Sequence, residues 1–264
     1  MDDKLSQMLK YNRSKENAEK IEPFIQLAQR FILLAKQYAN AYKELYANVL
    51  KEEYRREYAK GGVTIHRGFY SPSSLDIITG GCNRGRLLKR TPRGANYDYE
   101  YIFNDRGDLI CCRCHNRIEI LVYQEDYVLG LEFLSNENYL LERISQCWYE
   151  EAKLTKYVCV LFDYYDKDVR CEEINMETFD YTDSLLKKVN WYRYTPAIKL
   201  LTHEEIILYR DETGNLLEYV FKEIDLPPWK ETMDNPEQRY TARKKGKLFH
   251  DTHHKGQGDG SPVS

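Results

Sequence analysis

A short segment of alternating aromatic and acidic residues constrains the fold most strongly. Residues 97–103 read Tyr-Asp-Tyr-Glu-Tyr-Ile-Phe, and residues 104–109 read Asn-Asp-Arg-Gly-Asp-Leu. Successive side chains of a strand point to opposite faces, so this alternation places four aromatic rings on one face. An Asn/Gly turn directly after such a run is typical of a β-hairpin. A similar turn at residues 211–215 predicts a second hairpin.

Most of the chain from residue 97 to residue 222 has the same character. Runs of β-branched and aromatic residues are separated by turns rich in Asn, Asp and Gly, and the short connections favour antiparallel neighbours. We therefore predict a β-meander of about seven to nine strands. Residues 139–153 fit either a strand or a helix, and residues 182–190 indicate one short helix. The strong strand runs are 97–103, 108–114, 117–123, 127–134, 156–164, 169–175, 205–210 and 215–222.

The N-terminal part predicts a long amphipathic helix over residues 24–58. Apolar residues from Phe24 to Val49 recur at spacings of three and four, which gives a helix one apolar face. Pro23 suits a first helical turn, and the glycines at 61–62 would end the helix. At about 1.5 Å per residue, such a helix is about 50 Å long and could cross a whole sheet. A coiled coil with a partner is the alternative, but the aromatic and alanine-rich stripe favours packing on this protein's own sheet.

These patterns together predict an α+β protein: a long N-terminal amphipathic helix packed on an antiparallel β-meander sheet, with a flexible C-terminal tail. Residues 1–62 form the helical segment, residues 63–226 the sheet domain, and residues 227–264 an irregular tail. The tail is expected to be disordered because its last part is almost free of aliphatic residues.

Cysteine usage and apolar runs restrict the class of protein. Seven irregularly spaced cysteines argue against a disulfide framework. Cys111, Cys112 and Cys114 lack the second ligand pair of a zinc site, so small buried residues are the favoured interpretation and neither metal nor cofactor is expected. The histidines of residues 250–254 lack the rigid surroundings that a ligand set needs. Since neither a secretory signal nor a membrane-length apolar run is present, we expect a cytoplasmic protein without membrane association.

No motif indicates catalysis. The glycines of residues 80–85 lack the spacing of a phosphate-binding loop, and no Gly-x-Ser-x-Gly nucleophile elbow occurs. We therefore predict no catalytic residue. An enzyme whose active-site residues are dispersed in the sequence remains an alternative.

A cluster of basic residues precedes the aromatic run. Cations beside aromatic rings are used by proteins that bind single-stranded nucleic acid. However, 39 basic and 42 acidic residues give a formal net charge of −3, and no nucleic-acid-binding module is recognised. The default interpretation is loop charge that keeps the protein soluble, with nucleic acid as the less favoured partner. The possible phosphate-contacting residues are Arg84, Arg86, Lys89, Arg90 and Arg93.

The aromatic face must be covered by some other surface. The N-terminal helix would make it core, whereas a partner protein would make it an interface in which tyrosines lose little entropy on binding. The neighbouring acidic side chains would suit a basic partner such as a nuclease. The candidate partner-binding residues are Tyr97, Asp98, Tyr99, Glu100, Tyr101 and Phe103.

Residues 101–109, Tyr-Ile-Phe-Asn-Asp-Arg-Gly-Asp-Leu, resemble the Tyr-x-Tyr/Phe-Asp-x-x-Gly-x-Leu pattern of YD hairpins in bacterial Rhs-type proteins. Together with residues 85–90 and 96–103, this segment resembles small cytoplasmic proteins of polymorphic toxin loci. The resemblance implies an immunity-type protein that binds and blocks a cognate toxin domain. It does not imply a YD shell, because shells are long arrays and this chain has at most two copies. The predicted function is therefore non-catalytic protein binding, with a nucleic-acid-binding module or an enzyme as alternatives.

Overall fold

The computed structural model describes residues 6–7, 10–61, 86–94, 96–151, 153–165, 168–225 and 237–241. Arg84, the glycine segment at 80–85 and the histidines of residues 250–254 lie outside these described residues, as does most of the predicted tail. Within that tail, one short strand is described at Glu237–Thr241.

The described part of the chain consists mainly of antiparallel strands, preceded by two helices. Helix α1 is Lys15–Tyr38 and helix α2 is Tyr42–Glu52. None of the described helices is long and apolar enough to cross a bilayer. Single 3₁₀ turns occur at Ser135–Glu137 and Pro196–Ile198. The strands are β1 (Arg55–Lys60), β2 (Arg86–Leu87), β3 (Tyr99–Phe103), β4 (Leu109–Cys114), β5 (Arg117–Tyr123), β6 (Tyr127–Leu134), β7 (Leu140–Glu150), β8 (Lys153–Tyr165), β9 (Asp168–Thr182), β10 (Leu185–Thr195), β11 (Leu200–Arg210), β12 (Leu216–Asp225) and β13 (Glu237–Thr241).

The predicted single helix over residues 24–58 is wrong, and so is the α+β fold built on it. The helix stops at a turn at residues 39–41, where the backbone N–H of Ala41 donates to the carbonyl of Tyr38 at 3.0 Å. After α2 the chain becomes strand β1, whose residues Arg55 and Ala59 pair with Phe103 and Tyr99 of β3. Pairing with β3 satisfies the backbone of β1 and overrides its local preference. The described residues form mostly antiparallel sheet, and α1 and α2 are shorter, separate helices.

The chain divides into two compact units, each with its own run of strands. In one, the strand order is β6-β5-β4-β3-β1-β2, and in the other β8 to β13 follow chain order. The strand pairs within each unit are antiparallel, which confirms the predicted β-meander. The predicted number of seven to nine strands is too low, since the described residues form thirteen. The β1–β6 unit comprises the described residues within Tyr38–Glu142 and Cys147–Leu154, and the β8–β13 unit comprises those within Met1–Gln37, Arg143–Gln146 and Thr155–Leu248.

Helix α1 belongs to the β8–β13 unit and contacts its strands through aromatic rings. The ring of Phe24 lies 6.0 Å from that of Tyr192 and 5.8 Å from that of Tyr194, both on β10. The side-chain amide of Asn17 donates to the carbonyl of Lys199 at 3.1 Å. Aromatic contacts of this kind contribute about 0.5–1.5 kcal/mol each beyond the area they bury.

The short helix predicted at residues 182–190 is also wrong, because this segment contains the end of β9, a turn and the first half of β10. Asp183 and Ser184 have φ values of 50° and 66° and make a tight turn out of β9. Strand β10 then pairs with β9 on one side and with β11 on the other. Two sets of ladder hydrogen bonds outweigh the helical preference of its Leu-Leu-Lys-Lys start. The segment at 139–153, which fitted either element, contains strand β7.

The first predicted hairpin, β3–β4, is confirmed. The side-chain oxygen of Asn104 accepts hydrogen bonds from the backbone N–H groups of Arg106 at 3.1 Å and Asp108 at 2.9 Å. Gly107 has a φ of +85°, which a residue with a Cβ adopts only at a cost. The Asn and the Gly therefore define this turn, as the sequence pattern indicated.

The second predicted hairpin, β11–β12, is confirmed and repeats this geometry. The carboxylate oxygen Oδ1 of Asp211 accepts from the backbone N–H groups of Thr213 and Asn215, both at 2.9 Å. Gly214 has the same φ of +85° as Gly107. Hydrogen bonds from Thr213, and then from Asn215, lower the pKa of Asp211 from 3.8 to about 2.

The lowered pKa of Asp211 predicts a pH-dependent contribution to stability. A carboxyl group with a depressed folded-state pKa stabilises the fold above its unfolded pKa, and this contribution is lost as the pH falls through the folded pKa. We expect Asp211→Ala to lower the melting temperature by a constant amount above pH ~5, and the difference from wild type to shrink between pH ~4 and ~2. Thermal unfolding followed by circular dichroism at several pH values across this range measures the difference in melting temperature. Asp211→Asn keeps a side-chain acceptor without titrating and is the control, and a difference for Asp211→Ala that persists unchanged to pH ~2 would contradict the assignment.

Candidate anion-binding cleft

An open cleft of about 620 Å³ lies in the β1–β6 unit, where β1 ends and β2 begins. Five of the nine residues that line it are cationic, and none is acidic. All five cationic side chains are exposed. The lining residues are Lys60, Arg86, Leu88, Lys89, Arg90, Thr91, Pro92, Arg93 and Asn96.

Strand pairing brings the first two cations together. Lys60, at the end of β1, lies opposite Arg86 of β2 in the antiparallel register. Directly opposed residues share one face of the sheet with Cβ atoms about 4.5–5.5 Å apart, and like charges at such positions are destabilising. A bound anion would remove this repulsion.

The segment that carries the other cations is fixed to β1 at both ends. The backbone N–H of Leu88 donates to the carbonyl of Tyr58 at 2.8 Å, and that of Asp98 donates to the carbonyl of Ala59 at 3.0 Å. Pro92, between them, has a restricted φ. Leu88 and Asp98 therefore both lie against β1, and the cations between them line one cleft.

Side-chain contacts close the base of this loop. The ammonium group of Lys60 donates to the side-chain oxygen of Asn96 at 2.5 Å. The backbone N–H of Gly61 donates to Oδ2 of Asp98 at 2.6 Å. The carboxylate of Asp98 is thus held at the end of β1 and does not belong to the cleft lining.

The cleft cations differ from the other arginines of this unit, since none of them has an acidic partner among the residues that the structure describes. Arg113 contacts Glu100 at 3.1 Å and Arg117 contacts Glu132 at 2.8 Å. Among the described residues, no comparable ion pair involves the cations at 86, 89, 90 and 93. These four cations are therefore the candidate contacts for an external anion.

The predicted partner-binding aromatics lie in the core of the unit. Tyr99, Tyr101 and Phe103 of β3 are 4%, 0% and 3% exposed. Tyr97 precedes the strand and is half-buried, with its ring centroid 4.7 Å from that of Tyr58. The three rings on β3 provide no surface to a partner in this structure, so a partner-binding role for this face stays a prediction.

The predicted acidic residue Glu100, which lies on the face of β3 opposite these aromatic rings, is also engaged within the chain. Glu100 is 1% exposed, and its two carboxylate oxygens accept hydrogen bonds from Arg56 at 2.6 Å and Arg113 at 3.1 Å. Hydrogen bonding to Glu53, at 2.8 Å, raises the pKa of Arg56. A buried carboxylate bridging two arginines stabilises three neighbouring strands but does not attract a basic partner.

The described cysteines are mostly buried thiols. Cys111 and Cys112 are 0% exposed, and burial raises the pKa of both thiols. Burial also raises the pKa of the half-buried Cys171 to about 12. Within the described ranges, no three His, Cys, Asp or Glu side chains are grouped so that they could hold a metal ion.

These raised pKa values predict slow thiol chemistry, because the thiolate is the reactive form. Cys82 lies outside the described residues, so we expect the Cys82→Ser variant to react negligibly with Ellman's reagent at pH ~8 within minutes. In denaturant, all six remaining thiols should titrate. Rapid modification of the folded Cys82→Ser variant would contradict this prediction, because it would show that at least one described thiol is accessible and ionised.

Comparison with protein-family profiles and with curated proteins gave no match. The geometry of the cleft is therefore the basis for function. Of the sequence-predicted phosphate-contacting residues, the structure brings together Arg86, Lys89, Arg90 and Arg93, while Arg84 is not among the described residues. Lys60 was not predicted as a phosphate contact, because it lies in the N-terminal segment that the sequence pattern assigned to a helix. The glycines at 61–62 indicated that the helix ends there, but they did not indicate a strand.

Proposed function

We propose that the protein is a non-catalytic binding protein and that its cleft, lined by residues 60, 86, 88–93 and 96, holds a polyanionic partner. The observation that carries this proposal is the convergence of five exposed cations in one cleft without an acidic lining residue. Arginine presents planar pairs of N–H donors that match phosphate and carboxylate geometry, and three of the five cations are arginines.

The net charge of −3 does not oppose this binding. Screening limits the reach of an exposed charge to about 8–10 Å at physiological ionic strength. A partner in the cleft therefore interacts mainly with its lining, and acidic residues elsewhere on the chain have little effect.

Non-catalytic recognition is also what the resemblance to immunity-type proteins implies. A toxin domain that used this cleft would have to present an acidic surface. This differs from the basic partner suggested by the sequence, because Glu100 is already held by Arg56 and Arg113. An acidic protein surface is thus the second candidate partner.

Retention on a heparin column tests the proposal with a defined polyanion. We expect wild type to be retained and to elute at a clearly higher salt concentration than a cleft-neutral variant. A control variant with the same net charge loses four exposed lysines elsewhere and should elute with wild type. Equal elution of both variants would show that the cleft contributes nothing beyond net charge. The cleft-neutral variant is Arg86→Gln, Lys89→Gln, Arg90→Gln and Arg93→Gln, and the control is Lys36→Gln, Lys43→Gln, Lys51→Gln and Lys199→Gln.

A further inference from the structure

We propose that the polyanion is a single-stranded nucleic acid whose bases stack on Tyr58 and Tyr97. This inference rests on the proposed function of the cleft and names its ligand class. Proteins that bind single strands combine a cationic groove for the backbone with aromatic side chains for the bases. Both parts are present within one unit of this protein.

Tyr58 and Tyr97 form a fixed aromatic pair. Their ring centroids lie 4.7 Å apart with an interplanar angle of 60°, an edge-to-face arrangement. Both side chains are half-buried, so part of each remains accessible. The hydroxyl of a tyrosine is neutral at physiological pH, and burial raises the pKa of Tyr97 further above that range. A neutral, preoriented ring can accept a base without electrostatic repulsion from the phosphates.

The aromatic pair adjoins the cleft through the backbone. Tyr58 precedes Lys60 by two residues on β1, so both side chains share one face, about 7 Å apart along the strand. The carbonyl of Tyr58 accepts a hydrogen bond from Leu88, which lines the cleft. Tyr97 directly follows Asn96, another lining residue. A strand whose phosphates lie in the cleft could therefore place a base beside these rings.

The rings favour a single strand over a duplex or an acidic protein. In a duplex, the base faces are covered by neighbouring bases, so only an unpaired or splayed base can stack on a side chain. An acidic polypeptide would use the cations but would gain nothing from the two tyrosines beyond ordinary contact. Removing the two rings should therefore weaken the binding of a single strand but not that of a duplex or an acidic polypeptide.

Fluorescence anisotropy with a labelled oligothymidylate of about 15 nucleotides tests the inference. We expect Tyr58→Leu/Tyr97→Leu to bind the oligonucleotide about 10- to 100-fold more weakly than wild type, while its elution from heparin is unchanged. Tyr58→Phe/Tyr97→Phe keeps both rings and should retain most of the affinity. Tyr54→Leu/Tyr209→Leu removes two exposed tyrosines, 74% and 45% accessible, and is the matched control.

The outcomes separate this inference from the proposed function. Undiminished oligonucleotide binding by Tyr58→Leu/Tyr97→Leu, together with retention on heparin, would overturn stacking and leave the polyanion cleft intact. Tighter binding of the corresponding duplex or of poly-glutamate by wild type would likewise overturn the single-strand assignment. Absence of binding to both heparin and the oligonucleotide would overturn the proposed function as well. Far-ultraviolet circular dichroism confirms that each variant is folded.

Discussion

Replacing Tyr101 by alanine is expected to lower the free energy of unfolding by about 3–5 kcal/mol. The side chain is 0% exposed and lies at the centre of β3, between Glu57 of β1 and Cys112 of β4 in the strand register. Truncation removes a whole ring from a close-packed site that can relax only in part, so a cavity remains. Urea denaturation followed by circular dichroism measures the change.

Two matched variants sharpen this prediction. Tyr101→Phe keeps the ring and should retain most of the stability, whereas Tyr54→Ala removes a ring that is 74% exposed and should change it by about 0.5 kcal/mol or less. A Tyr101→Ala protein as stable as wild type would show that β3 is not core. The prediction also affects binding studies. If the Tyr101→Ala variant failed to bind a partner, the cause would be its loss of stability and not the loss of a direct contact. Tyr58 and Tyr97, at the edge of the cleft, are the informative positions.

Neutralising Arg86, Lys89, Arg90 and Arg93 together is expected to weaken oligonucleotide binding roughly 10²- to 10³-fold at about 0.1 M salt. Each phosphate contact to a single strand releases about 0.7 counterion, so the five cleft cations give a slope of about −3.5 for log K against log salt. With only Lys60 left, the slope should fall to about −0.7, and the affinities should converge near 1 M salt.

Anisotropy titrations at several salt concentrations measure these slopes. The variant that loses the four lysines at 36, 43, 51 and 199 has the same net charge and should keep the wild-type slope. If that control variant and the cleft-neutral variant showed equal slopes, general charge and not the cleft would govern binding. Adding Mg²⁺ should not restore the affinity that the cleft-neutral variant has lost, since the side-chain cations themselves make the contacts.

Local patterns predicted the hairpins well because their cause is local. The Asn104 and Asp211 turns depend on a side chain that hydrogen-bonds its own backbone and on a glycine three residues later, all within five residues. The period-two runs likewise identified the strands that flank these turns. Side-chain alternation and turn chemistry are properties of the sequence itself.

The errors arose where distant pairing decides the structure. Residues 55–60, Arg-Arg-Glu-Tyr-Ala-Lys, suit a helix, yet they form a strand because β3 supplies their partners 40 to 48 residues further along the chain. The segment at 185–195 became a strand for the same reason, between β9 and β11. Contacts of this kind leave no local pattern.

The candidate site was predictable only in part. The basic residues at 86–93 were recognisable as possible phosphate contacts, but their convergence with Lys60 depends on the pairing of β1 with β2. The net charge of −3 argued against an anionic partner. Net charge is a sum over the whole chain, so it does not reveal a local cleft whose lining residues include five cations and no acid. The adjoining pair of Tyr58 and Tyr97 also follows from the β1 register.

Photocrosslinking tests the central claim most directly. An oligothymidylate of about 15 nucleotides that carries 5-iodouracil crosslinks to aromatic side chains in contact with its bases, and mass spectrometry of the peptides locates the site. The account predicts crosslinks to the peptides that contain Tyr58 and Tyr97, lost on neutralising the cations at 86–93. Crosslinks confined to peptides outside residues 54–61 and 86–103 would contradict it.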